Sequence, residues 1–170
     1  MMHKGILIII SLVLLLSAAC SSEFDKKKFA KVHQAAYAVK NAIAEGCDYQ
    51  QFSEVLKNFS GELATLKGKV ESEKEKELLN DYSALLAMYH DGYLLWKYKN
   101  EFTRYGFVPK GLIYVGQDVE PIAEKYRIPT EEHVYTPTHK AWKSIPESSI
   151  RIVWMNAESQ LKIIDTILNY

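Results

Sequence analysis

Apolar residues recur every three or four positions along most of the chain, which is the spacing of a helix that buries one face. Gly46 follows the first apolar stripe at a position where glycine commonly ends a helix. Asp48 with Gln51, and Ser72 with Glu75, match capping boxes at the starts of a second and a third helix. The three stripes are Phe29, Val32, Ala36, Val39 and Ile43; Phe52, Leu56, Phe59, Leu63, Leu66 and Val70; and Leu78, Tyr82, Leu85, Tyr89, Tyr93 and Trp96.

A fourth amphipathic stripe lies near the carboxyl end of the chain. Ser144 and Glu147 match a further capping box, and Pro146 falls in the first turn, where proline is tolerated. The apolar positions of this stripe are Ile150, Val153, Trp154, Ala157, Leu161, Ile164 and Leu168. No segment shows the sustained alternation of a half-buried strand. We therefore expect an all-α fold, a four-helix antiparallel bundle.

The third helix is unusually long and contains a glycine. At 1.5 Å per residue it would extend for roughly 45–50 Å, against about 30–35 Å for each of the others. Glycine inside a helix costs about 1 kcal/mol relative to alanine, so Gly92 needs a structural reason. We predict a close helix crossing at Gly92, with a bend as the alternative.

Residues 107–138 form an insert between the third and fourth helices that is rich in proline and aromatic residues. It is too apolar for disorder, and we predict an irregular segment with a short helix within residues 118–126. We expect the insert to fold over the aromatic end of the third helix. The candidate ligand seam there is Trp96, Tyr98, Phe102, Tyr105 and Tyr114. Aromatic residues at helical spacing are also typical of a packed core, which is the alternative interpretation.

Composition places the chain among ordinary folded proteins. Of its 170 residues 48% are apolar, which suffices for one domain with a core. Lys and Arg number 21, and so do Asp and Glu, so the formal net charge is zero. Without a basic excess, no nucleic-acid partner is expected.

The first twenty residues have the pattern of an export signal. Lys4 precedes an apolar run over residues 6–16 that only Ser11 interrupts, and small residues lead from that run to Cys20. A membrane-spanning helix needs roughly 20 apolar residues, which is more than this run provides. The pattern therefore predicts a secretory signal peptide.

The segment from Leu16 to Cys20 resembles the lipobox of bacterial lipoproteins, although Ser17 stands where leucine is commonest. The resemblance implies that Cys20 is diacylated on sulfur and begins a mature chain of 20 basic and 21 acidic residues, with a net charge of −1. Membrane lipid would then hold the chain through Cys20. Because Ser21 follows the cysteine in place of aspartate, the resemblance implies the periplasmic face of the outer membrane in a Gram-negative host.

These features divide the chain into three parts. Residues 1–19 are the predicted signal peptide, and residues 20–24 are the lipid anchor with a short tether. Residues 25–170 are a single helical-bundle domain that includes the insert at 107–138. An extended tether of this length reaches roughly 10–15 Å, so we expect the domain to lie close to the lipid surface.

Familiar catalytic and cofactor motifs are absent from the sequence. No histidine of the mature chain has the Glu-x-x-His spacing of a di-iron bundle, and the two cysteines are 27 positions apart, which rules out a c-type haem motif. His133 and His139, near Glu131 and Glu132, are candidate metal ligands or simply exposed loop residues. Cys47 is either a reactive thiol or a small residue that fills a helix corner.

The predicted domain carries only a loose resemblance. The corner at residues 47–52 and the tyrosine-rich third helix loosely resemble exported helical proteins of bacteria, which implies no activity. We expect a cell-envelope lipoprotein that is not an enzyme, needs no cofactor and serves as an interaction or structural module for an envelope protein partner. The alternative is a small-ligand or metal-binding sensor domain that uses residues 107–138 packed on the third helix.

Overall fold

The computed structural model describes residues 24–104, 106 and 108–169, so Cys20 and Tyr105 lie outside the described residues. The described chain is mostly helical and carries a small sheet. Its elements are α1 (Ala30–Glu45), α2 (Tyr49–Lys67), α3 (Glu73–Arg104), β1 (Leu112–Tyr114), α4 (Glu120–Lys125), β2 (Glu131–Tyr135), β3 (Lys140–Pro146) and α5 (Ile150–Leu168). None of the described helices has both the length and the apolar character that a bilayer crossing requires.

The predicted capping boxes form at the starts of α2 and α3. The Gln51 N–H donates to Asp48 Oδ1 at 2.8 Å, and the Asp48 N–H donates to Gln51 Oε1 at 3.2 Å. Ser72 and Glu75 exchange the same pair of hydrogen bonds, each at 3.2 Å. Gly46 ends α1 with a φ of 72°, a left-handed conformation that glycine adopts without strain. The signals predicted at these three helix ends are confirmed.

The four long helices α1, α2, α3 and α5, which we call the helical core, pack in a chain of contacts. Helix α1 contacts α2, α2 contacts α3, and α3 contacts α5. The predicted stripes supply most of the buried side chains between them, including Phe29, Val39, Phe52, Phe59, Leu63, Tyr82, Tyr89, Leu161 and Ile164. The periodicity of the sequence therefore identified the buried faces.

The amino-terminal segment is clamped to the start of α3 by Glu75, whose side chain is fully buried. One carboxylate oxygen accepts the N–H of Asp25 at 3.3 Å and lies 3.0 Å from Lys28 Nζ. The other accepts the N–H groups of Glu71 at 2.8 Å and Ser72 at 3.2 Å. Burial alone would raise the pKa of Glu75, but these hydrogen bonds outweigh burial and lower that pKa to about 2. We call these five residues the amino-terminal clamp.

A three-stranded antiparallel sheet forms from β1 and β2 of the insert and from β3, which follows the insert. This sheet corrects the expectation of an all-α fold with an irregular insert. The strand order is β1-β3-β2, with Ile113 opposite Ile145 and His133 opposite Trp142. The sheet and α4 form a second apolar cluster against α3 and α5, made of Leu95, Ile113, Val115, Val119, Ile122, Ala123, Ile128, Ile145 and Val153. Helix α4, with Pro121 in its first turn, confirms the short helix predicted within residues 118–126.

The last long helix begins later than the sequence predicts. Ser144 lies in β3, is fully buried, and places its Oγ 2.8 Å from His133 Nε2. A 3-10 turn, Glu147–Ser149, then precedes α5. The carboxylate of Glu147 pairs with Lys99 of α3. The predicted helix start at Ser144 is therefore wrong, because His133 on the neighbouring strand takes the serine hydroxyl.

Helix α3 is continuous over 32 residues, about 48 Å, and passes Gly92 without a break. The reason is the neighbouring helix, since the indole of Trp154 in α5 lies against the backbone of Gly92. A Cβ atom at position 92 would lie 2.1 Å from Cη2 and Cζ3 of that ring. The predicted close helix crossing is confirmed.

Candidate functional site

An open cleft of about 670 Å³ lies where the end of α1, the second half of α3 and the start of α5 meet. Four separate stretches of the chain form its walls, so it exists only in the folded protein. The lining residues are Ala42, Ile43, Gly46, Cys47, Trp96, Lys99, Gly111, Glu147, Ser148, Ile150, Arg151 and Trp154. We call it the indole cleft because two tryptophan side chains supply most of its aromatic surface.

The two indoles are held in place by packing behind them. The ring centroids of Trp96 and Trp154 lie 5.7 Å and 5.5 Å from that of Phe52, which is fully buried. Tyr49 meets Trp96 edge to face at 6.1 Å and stacks on Tyr93 at 4.6 Å. Because these contacts restrict both indoles, the apolar wall is formed before any ligand arrives.

The polar rim of the indole cleft has one positive charge in excess. Lys99 and Glu147 form an ion pair in which both side chains are about one-third exposed. Arg151 is exposed and lines the same cleft, and within the described part of the chain it has no salt-bridge partner. Its guanidinium is therefore free to form a bidentate hydrogen-bonded pair with an anionic group.

Cys47 lines this cleft and packs against the helical core. Its N–H donates to the Ala42 carbonyl at 3.0 Å, which completes the end of α1. Burial raises the pKa of the Cys47 thiol, and the carboxylates of Asp48 and Glu45 raise it further. The thiol is therefore protonated at neutral pH and is a weak nucleophile. The geometry favours the corner-filling interpretation over the reactive one.

The predicted ligand seam is divided between two places. Tyr98, Phe102 and Tyr114 stack in series, with ring centroids 5.3 Å and 5.1 Å apart. Trp96 lies instead in the indole cleft, because two positions along a helix correspond to a rotation of about 200°. Tyr105, the remaining member, is outside the described residues.

The stacked series fastens the insert to α3. It continues from Tyr114 to Trp142 at 6.4 Å, and from Trp142 to His133 at 4.2 Å. The Tyr98 hydroxyl donates to Asp118 at 2.6 Å, and this hydrogen bond raises the pKa of Tyr98 to about 12. Each ring packs against its neighbours in this series, and Tyr98 also packs against the second apolar cluster, which favours the core alternative. A second open cleft of about 660 Å³ lies alongside, between the β2–β3 hairpin and the segment after α3.

The two candidate metal-ligating histidines have different surroundings. His133 binds Ser144 and stacks on Trp142, whereas His139 is exposed at the hairpin turn with a φ of 53°. Across the residues that the structure describes, no group of three or more His, Cys, Asp or Glu side chains is arranged to hold a metal ion.

A polar network inside the helical core was missed by the sequence analysis. Tyr82 Oη lies 2.8 Å from His33 Nδ1, Asp165 lies 3.6 Å from His33 Nε2, and the Tyr37 hydroxyl donates to Asp165 at 2.8 Å. Burial lowers the pKa of His33, and the Asp165 charge opposes that shift. The i, i+4 spacing of His33 and Tyr37 was the available signal, since both lie beside the first apolar stripe. The network joins α1, α3 and α5 and does not line the indole cleft.

Comparison with known proteins found no relative of this chain. No protein-family model matches the chain, and no curated protein or solved structure is significantly similar to it.

Proposed function

We propose that this protein is a lipid-anchored component of the cell envelope whose folded domain is a non-enzymatic interaction module, built as a four-helix bundle that carries a small sheet. Support for the anchor comes from the lipobox-like segment Leu16–Cys20 and the short stretch that separates it from the domain. In a Gram-negative host the proposed site is the periplasmic face of the outer membrane. Support for binding in place of catalysis comes from the indole cleft, where burial and neighbouring carboxylates raise the pKa of the Cys47 thiol and make it a weak nucleophile.

The amino-terminal clamp is the observation that carries the proposal, because an anchor at Cys20 would be followed within a few residues by the clamped Asp25. Glu75 fixes Asp25, and hence the chain that leads from the anchor, to the first turn of α3. Phe102, which stacks on the sheet residue Tyr114, lies 27 positions further along the same helix, a distance of about 40 Å. An anchored domain would therefore present its sheet far from the lipid.

The end of the domain that lies far from the proposed anchor carries exposed apolar side chains on its sheet. On β2, an edge strand of the sheet, Val134 and Tyr135 are 63% and 56% exposed. The outer backbone N–H and C=O groups of an edge strand are available for pairing with another chain, and exposed apolar side chains add contact area. We propose that an envelope protein contacts the domain here.

Lipidation is tested by intact mass. The full chain, extracted from its own host in mild detergent, is expected to have the mass of residues 20–170 plus acyl chains. The Cys20→Ser variant is expected to keep the uncleaved mass and to carry no acyl group, because the acylated sulfur is missing. An unacylated mass for the natural chain would overturn the anchor.

The proposed contact surface is tested by site-specific crosslinking in cells. A photoreactive phenylalanine analogue at Tyr135 is expected to crosslink one envelope protein reproducibly, whereas the same group at Asn58, exposed on α2, is expected to give none. Cys20→Ser should abolish the crosslink, since the unanchored domain no longer meets its partner. Equal crosslinking from both positions would contradict a partner surface on β2.

A second candidate function is small-ligand binding, and the indole cleft is the observation that favours it. Its volume of about 670 Å³ falls within the roughly 300–1,000 Å³ of small-molecule sites. The sequence suggested a site made by residues 107–138 on the third helix. Among the residues of that insert that the structure describes, only Gly111 lines this cleft.

A further inference from the structure

We propose that the indole cleft binds small molecules that combine a flat apolar ring system with a single anionic group. This inference rests on the second candidate function, small-ligand binding, and adds the chemical class of the ligand. It depends on the apolar wall, the charge of the rim and the position of Cys47.

The apolar wall suits a flat ring. Trp96 and Trp154 are each half-buried, so each leaves part of its indole open to the cleft. Both are supported by the buried ring of Phe52, and aliphatic groups of Ile43 and Ile150 complete the wall. Offset stacking or edge contact with an indole stabilises an aromatic ligand beyond simple burial of its area.

The charged side chains at the rim of the cleft favour an anionic ligand. Among the lining residues the ionised groups are Lys99, Arg151 and Glu147, and Lys99 is already paired with Glu147. Glu45 and Asp48 lie within two residues of Cys47 along the chain but do not line the cleft. Arg151 is thus the group left for a ligand, and its fork of N–H donors fits the oxygens of a carboxylate or sulfonate. A cationic ligand would meet repulsion at the same place.

Cys47 reports occupancy of the cleft because a bound ligand would cover its thiol. The full chain in nonionic detergent is treated with iodoacetamide at alkaline pH, and the rate of Cys47 alkylation is read from its own peptide by mass spectrometry, apart from Cys20. The probes are naphthalene-1-sulfonate and its neutral counterpart naphthalene-1-sulfonamide, at equal free concentrations fixed by dialysis. Both are titrated to about 10 mM, well above the dissociation constant near 1 mM of a weak site.

The sulfonate is expected to slow alkylation of Cys47 about tenfold when its free concentration is ten times its dissociation constant, because only the empty protein reacts. The sulfonamide should protect much less at the same concentration. Arg151→Gln should remove the difference between the two probes. Lys162→Gln, a neutralised cation on the exposed face of α5, should leave the difference unchanged.

The other outcomes separate the two levels of the proposal. Equal protection by both probes, unaffected by Arg151→Gln, would overturn the anionic class and leave small-ligand binding in place. Protection by neither probe in a protein that keeps its native circular dichroism would overturn both. If Lys162→Gln weakened protection by the sulfonate as much as Arg151→Gln does, the sulfonate would be attracted by the general positive charge of the protein. That result would also overturn the assignment of the site to the cleft.

Discussion

Replacing Glu75 by alanine is expected to lower the free energy of unfolding by about 3–5 kcal/mol, the range measured when a buried ion pair loses one partner. The Glu75 carboxylate is fully buried and accepts hydrogen bonds from three backbone N–H groups and from Lys28. Alanine leaves these donors without an acceptor inside the clamp. Since a domain is stable by only about 5–15 kcal/mol, the loss should be plain in urea unfolding followed by circular dichroism.

Two further variants show whether the loss belongs to the buried carboxylate. Glu77→Ala removes an exposed acid two residues along α3 and is expected to change stability by no more than about 0.5 kcal/mol. Glu75→Gln keeps the side-chain shape and one acceptor oxygen, so we expect an intermediate loss of about 1–3 kcal/mol. If Glu75→Ala were as mild as Glu77→Ala, the clamp would have no energetic role.

The clamp also predicts a pH dependence with a definite sign. The pKa of Glu75 is about 2 in the folded protein and near 4.5 when unperturbed, so the unfolded chain binds more protons between these values. The contribution of Glu75 to stability is therefore complete above about pH 5 and is lost as the pH falls towards 2. Unfolding of the natural chain and of Glu75→Gln at several pH values should show their difference shrinking over that interval.

The helices were predictable because each relies on short-range signals. The capping pair Asp48 and Gln51, and the pair Ser72 and Glu75, need only residues three apart, and the apolar stripes need only one turn of helix. The capping pattern at Ser144 and Glu147 failed, because contacts from distant residues decided it. His133 takes the serine hydroxyl, and Lys99 pairs with the glutamate.

The sheet and the indole cleft were not predictable from local pattern. Strand β2 is exposed on nearly every residue, so it shows no alternation, and β1 has only three residues. The cleft joins Cys47, Trp96, Gly111 and Trp154, whose proximity depends on how α1, α3 and α5 pack. One part of the predicted ligand seam could have been corrected from the sequence. Trp96 and Tyr98 are two positions apart on a helix and point in nearly opposite directions, so a single seam could not hold both.

A methyl group at Gly92 is expected to destabilise the fold by about 1–3 kcal/mol, the usual cost of overpacking. Helix propensity alone predicts the reverse, since alanine is better than glycine by about 1 kcal/mol inside a helix. The new Cβ would lie 2.1 Å from two ring carbons of Trp154, and that ring is confined by Phe52 and Tyr89. Urea unfolding of Gly92→Ala decides between propensity and packing.

The chain supplies its own control for this substitution. Gly61 lies within α2, and apart from its chain neighbours and the backbone of its own helix no atom lies within 4 Å of an added Cβ. Gly61→Ala should therefore raise stability by about 0.5–1 kcal/mol. In a Trp154→Leu background, Gly92→Ala should become neutral or stabilising, because the obstructing ring is gone; the coupling between the two positions should be at least about 1 kcal/mol. Because Trp154 also lines the indole cleft, Gly92→Ala should change the alkylation rate of Cys47, whereas Gly61→Ala should not. A destabilisation that persisted without Trp154 would mean that the helix crossing is not what requires glycine at position 92.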